Sequence, residues 1–176
     1  MNSRIGILQA VRLLIGDPVG DDAQFTDSDL LALAAAHRTD VYYLPLTPLP
    51  SVAPGGAVSY LEWVAADYPG VQWATDGVLT DGSYNVLTPA ASDWAQGRWT
   101  FSTSQASVLL KGSAYDVAGI AADACEAWIA LLKFAYDFTA DGASYQRSQQ
   151  VEALTLLAQR LRGRSAHSAG TAKLVR

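Results

Sequence analysis

The chain has 176 residues, half of them apolar and 16% charged, with a formal charge of −5. This suits one folded domain with a sizeable core and excludes a disordered chain. A single cysteine, Cys125, excludes an internal disulfide framework and a multi-cysteine zinc site; it lies in an apolar helical stretch and reads as a buried, inert thiol.

The first apolar run, MNSRIGILQAVRLLIGDP, is interrupted by Arg4 and Arg12. It is too short for a membrane span and has no signal-peptide pattern, so synthesis in a reducing cytoplasm is expected. Ser3 to Ile15 reads as a helix, with Ile5, Leu8, Val11, Leu14 and Ile15 near one face and Gly16-Asp17-Pro18 as its stop. A second helix starts at Thr26, a good N-cap. Asp27 and Asp29 follow at the positive end of its dipole, and Phe25 and Leu30 are spaced as a hydrophobic staple. It is expected to run to near Thr39.

From Asp40 the texture becomes β-like. DVYYLPL favours a strand, TPLPSVAPGG (47–56) reads as a loop, and short runs such as AVSYLEWVA, VQWAT, GVLT, YNVLT, GRWTFST and ASVLLKG follow. Asp76-Gly77 and Asp81-Gly82 mark tight turns between them. SAYDVAGIAADACEAWIALLKFAYDF then follows helical spacing, and a last helix is expected over about 144–162, burying Val151, Leu154, Leu157, Ala158 and Leu161. The fold expected is α+β: mainly an α-helical bundle of two short N-terminal helices and a long C-terminal antiparallel helix pair, with a small β unit inserted at about 41–111. Residues 1–162 form the domain, and 163–176 a flexible basic tail.

The charge is uneven. Arg160, Arg162, Arg164, Lys173 and Arg176 give the last segment +5 with no acid, which leaves −10 on residues 1–159. An acidic body opposes binding to phosphates, while a basic tail fits an acidic partner.

DFTADGASYQRS, Asp137 to Ser148, resembles the start of a calcium loop, with Asp137, Thr139 and Asp141 alternating before Gly142. The twelfth position, which needs a bidentate Glu, is Ser148, and Arg147 stands beside it. The segment therefore reads as a corner between two helices, with Ser144 capping the second, and no metal is expected. No catalytic motif occurs, the only histidines are His37 and His167, and neither enzymatic activity nor a cofactor is expected. Asp116, Asp123 and Glu126 lie on the long helix; exposed or intersubunit charge explains them better than acid–base work. Tyr60, Trp63, Trp73, Trp94 and Trp99 read as an aromatic core in preference to a sugar-binding face.

The order of elements resembles the head-to-tail adaptor (head–tail connector) proteins of long-tailed bacteriophages. VRLLIGDP with FTDSDLLAL is similar to the family's opening helix pair. LTPLPSVAPGGAVSYLEW with WATDGVLTDGSYNVLTPAASDWAQGRWTF is similar to the β insertion of a branch from phages of actinobacteria. YDVAGIAADACEAWIALLKFAYDF and DFTADGASYQRSQQVEALTLLAQRLR are similar to the long helix and its junction with the last one. The resemblance implies a structural virion protein of the neck, made in the bacterial host. It would form a homo-oligomeric ring, typically of twelve subunits, beneath the portal protein. The ring would extend the channel through which double-stranded DNA passes without specific binding, and would present a platform to the stopper and tail. No membrane is involved. The tail residues Arg160, Arg164, Lys173, Leu174, Val175 and Arg176 are then portal-docking candidates, and Asp116, Asp123, Glu126 and Arg147 subunit-interface candidates. A stopper, a tail terminator and a carbohydrate-binding module are the competing readings.

Overall fold

The computed structural model describes residues 4–52, 55–132, 138–140, 143–145 and 147–165. They divide into two compact units. One takes Arg38–Tyr115 with the chain up to Ile7; the other takes Leu8–His37 with the chain from Asp116 onward.

Helix α1, Ile5–Ile15, buries Ile7, Leu8, Val11 and Ile15 along one stripe. It stops because Gly16 takes φ +70°. A left-handed residue there turns the chain so that the Asp17 N–H bonds Arg12 O at 3.0 Å, the closing bond of a Schellman end. Helix α2, Asp27–Ala36, opens on a complete capping box. Thr26 Oγ1 accepts from Asp29 N at 3.2 Å, and Asp29 Oδ2 accepts from Thr26 N at 2.9 Å. The Thr26 hydroxyl, and then its backbone N–H, hold the Asp29 carboxyl below its ordinary value.

The described residues of Arg38–Tyr115 are β and loop: β1 (Arg38–Pro45), β2 (Thr47–Val52), β3 (Val58–Val64), β4 (Gln72–Trp73), β5 (Val78–Thr80), β6 (Val86–Leu87), β7 (Ala91–Asp93), β8 (Arg98–Thr100) and β9 (Leu109–Tyr115). They build two antiparallel sheets. One has the order β1-β9-β5-β6, with β4 also paired to β9; the other has the order β2-β3-β8-β7. The core between them holds Val41, Leu46, Trp63, Trp73, Leu79, Trp99, Phe101, Val108, Leu110 and Ala114.

In the helical unit, α3 (Val117–Leu132) packs on α2 and on α4 (Arg147–Arg162). Val117 to Ala122 are buried without a break, then Ala124 and Cys125. Small side chains let neighbouring backbones close in on every face of those turns. Burial, and then the nearby Glu126 charge, push the Cys125 thiol above its ordinary value, as expected of an inert cysteine. From α4, Leu154, Ala158 and Leu161 enter the core.

The helical-bundle expectation is overturned. The fold is mixed α+β: among the described residues two antiparallel sheets carry nine strands, a separate two-stranded ribbon lies between α3 and α4, and the four helices do not make a bundle that dominates the chain. Three local reasons account for the difference. TPLPSV was expected to be loop, but Thr47–Val52 forms β2 at the edge of its sheet, where Pro48 and Pro50 are tolerated because an outward-facing edge needs no amide donor. Ser113 to Tyr115 were expected in the long helix; they end β9 and pair with β1, Arg38 opposite Tyr115. Between α3 and α4, where a helical corner was expected, Phe138–Ala140 (β10) pairs antiparallel with Ala143–Tyr145 (β11), which places Ser144 in a strand. Asp137, Asp141 and Gly142 of the calcium-loop comparison lie outside the described residues.

Candidate functional site

Three constellations of side chains join different parts of the chain. The first joins helix ends in the helical unit. Asp116 is buried at the N-terminus of α3. Its Oδ1 accepts from Gly119 N at 3.0 Å, and its Oδ2 accepts from Ser165 Oγ, just beyond α4. His37, the C-cap of α2, has Nε2 2.6 Å from Asp123 Oδ2. A carboxylate only accepts, so this nitrogen carries the proton. Asp123 Oδ1 also accepts from Arg162 Nη2, which reaches Glu126 Oε2 at 3.1 Å. One polar chain therefore ties α2, α3 and α4 together.

This placement answers for each residue singled out in the sequence. Asp116, Asp123 and Glu126 are engaged with groups of their own chain. Arg147 opens α4, and its side chain lies outside the described residues. Arg160 and Arg164 are exposed. Gly163, Arg164 and Ser165 stay hydrogen-bonded to the last turn of α4, and Lys173, Leu174, Val175 and Arg176 lie outside the described residues.

The junction has no room for a larger residue at Gly119. A Cβ there would stand 2.6 Å from His37 Nδ1 and 2.7 Å from Asp116 Oδ2. In an ordinary helix Gly→Ala gains about 1 kcal/mol. Here Gly119→Ala is expected to lose about 1–2 kcal/mol net, because overpacking costs ~1–3 kcal/mol and Asp123 holds the His37 ring. Urea denaturation of the two proteins checks the sign; an alanine variant as stable as the parent would show that the ring moves aside freely.

The second constellation is the corner between α1 and α2. Arg12 and Asp17 are both buried and 2.5 Å apart. Arg12 Nη2 also donates to Phe25 O at 2.8 Å and Asp27 Oδ1 at 2.9 Å, while Asp17 Oδ1 accepts from Gln24 N at 2.6 Å. The sequence signal was available: an arginine on the apolar side of a helix, with an aspartate just past its end.

The third lies on the β unit and was missed from sequence. A register shift between Val41 and Leu44 leaves Tyr42 and Tyr43 out of the ladder. Tyr43 takes φ +60° and Tyr84 φ +65°. Both rings are exposed and meet edge-to-face at 4.8 Å. Bulky residues adopt such backbone only where neighbours enforce it. Asp81 does so at Tyr84, accepting from Ser83 N, Asn85 N and Asn85 Nδ2 at 2.8–2.9 Å. The Asn85 amide, first among these, holds the Asp81 carboxyl below its ordinary value. Lys111 Nζ sits 5.9 Å from the Tyr42 ring.

The tryptophans offer no comparable face. Trp63, Trp73 and Trp99 are buried, and Trp99 contacts Trp73 and Trp94 edge-on. Among the described residues no group of three His, Cys, Asp or Glu side chains is placed to hold a metal, and no helix is long and apolar enough to cross a membrane. No family model matches the chain, and neither the curated proteins nor the solved structures give a match.

Proposed function

We propose that the chain is a structural neck protein of a long-tailed bacteriophage, one subunit of a ring that joins the capsid portal to the stopper and tail and extends the DNA channel. One observation carries the reading. The most recognisable stretch of the resemblance, DFTADGASYQRSQQVEALTLLAQRLR, supplies the β10–β11 ribbon and α4, and α4 packs on α3, the helix of the similar stretch YDVAGIAADACEAWIALLKFAYDF. The −10 charge on residues 1–159 adds support, since a lumen for DNA must not hold phosphates. The buried and paired side chains described above serve packing, which suits a structural role.

The amount of sheet favours a second reading, a stopper or tail terminator, since those proteins are dominated by β structure. Mixing the full chain with its cognate portal ring separates the two, read by size-exclusion chromatography with light scattering. An adaptor forms a large complex on the bare portal. A stopper binds only after another neck protein has loaded. Failure to bind either assembly would overturn both.

A further inference from the structure

We propose that residues 166–176 dock on the α1–α2 corner of their own chain. The corner presents a groove of about 370 Å³ lined by Gln9, Leu13, Gly16, Pro18 and Val19, with the Arg12–Asp17 pair in its wall. Leu13 is 84% exposed and Val19 80%, the highest values for large hydrophobic side chains among the described residues. The buried ion pair fixes the loop that carries Val19, so a ligand settling there has little ordering left to supply.

The occupant follows from charge, composition and reach. Asp21 and Asp22 are exposed at the centre of the turn closed by the Ala23 N–H to Gly20 O bond. Two carboxylates therefore stand close in the chain to Val19. Residues 166–176, AHSAGTAKLVR, contain no acid, and Lys173 and Arg176 flank an apolar Leu174-Val175 pair. A short apolar pair between two cations complements an apolar groove whose loop carries two acids within three residues of Val19. The segment starts at Ser165, which is held by Asp116 beside His37, the C-cap of α2. The groove adjoins the other end of α2. That helix has 10 residues, about 15 Å of rise, whereas the stretch from Ser165 to Leu174 reaches roughly 30 Å when extended. A tethered segment that spans its site acts at a local concentration in the millimolar range, which favours its own chain over a second copy. The inference does not depend on ring formation.

The test uses the full chain carrying Ala172→Cys with a nitroxide spin label; Cys125 is buried and stays unlabelled. In dilute protein the label is expected to broaden the signals of Leu13 and Val19, with most of their intensity lost, and to spare those of the β unit. Asp21→Lys with Asp22→Lys should abolish the broadening. Adding Lys173→Glu and Arg176→Glu to that background should restore it. Two results would overturn the proposal. One is an unaffected corner. The other is broadening seen only when spin-labelled chains are mixed with isotope-labelled ones, which would assign the groove to a second copy.

Discussion

Replacing Asp17 with alanine is expected to destabilise the helical unit by about 3–5 kcal/mol, the range for breaking a buried ion pair from one side. The reason is what stays behind. Arg12 is buried, and its guanidinium keeps Phe25 O and the exposed Asp27 as partners but loses the carboxylate 2.5 Å away. The N–H groups of Gln24 and Phe25 lose their acceptor as well. Replacing both partners by apolar side chains, Arg12→Met with Asp17→Leu, should recover most of the loss, because no charge is then stranded. Urea denaturation followed by circular dichroism at 222 nm measures both. A single variant losing less than ~1 kcal/mol, as an exposed pair would, would mean that water reaches the corner. Hydrogen exchange at Phe25 and the first turn of α2 should quicken before the rest of the unit.

Trp99→Ala is expected to cost the β unit about 3–5 kcal/mol, the usual loss for a fully buried aromatic. Trp99 sits on β8, pairs with Trp63 across to β3, and meets Trp73 and Trp94 edge-on at 6.4 and 5.2 Å. Its removal opens the centre of the core. The indole Nε1–H is buried without a hydrogen-bond partner among the described residues. Trp99→Phe removes that unmet donor while keeping much of the ring, so it should cost no more than about 1–2 kcal/mol. Intrinsic fluorescence in urea reads the transition, since four of the five tryptophans lie in this unit. A loss for Trp99→Phe as large as that for Trp99→Ala would overturn this, because it would mean that a phenyl ring restores none of the packing at the site.

Much of the fold was legible where one local rule acted alone. The Thr26 cap fixed the start of α2, and the runs from Val58, Val78 and Arg98 named their strands. Sequence reading failed where tertiary pairing decided. Thr47–Val52 has the prolines of a loop and becomes a strand because β3 offers a ladder on one side only. Ser113 to Tyr115 continue a helical pattern, yet the partner strand from Arg38 captures them. The ribbon between α3 and α4 had a usable signal: Phe138-Thr139-Ala140 and Ala143-Ser144-Tyr145 flank the dipeptide Asp141-Gly142, the spacing of a two-residue hairpin. The expectation of a turn joining two helices directly outweighed it. At the sites, the carboxylates on α3 were visible but their partners were not, because His37, Arg162 and Ser165 are far from them in sequence. Tyr43 and Tyr84 carry no sequence mark of their backbone geometry.

The chain leaves α2 and returns to α3 at neighbouring points. His37 O accepts the Asp116 N–H at 3.1 Å, and the next residues inward, Arg38 and Tyr115, face each other in the ladder. Exit and return are thus one hydrogen bond apart, and α2 and α3 would need only a tight link if everything between were removed. Segments with adjoining ends are the ones that chains accept as insertions and exchange during descent. Residues 38–115 therefore have the geometry of a cassette. A different module with adjacent termini fits the same two ends, and a reporter domain grafted between His37 and Asp116 should leave α2 and α3 folded.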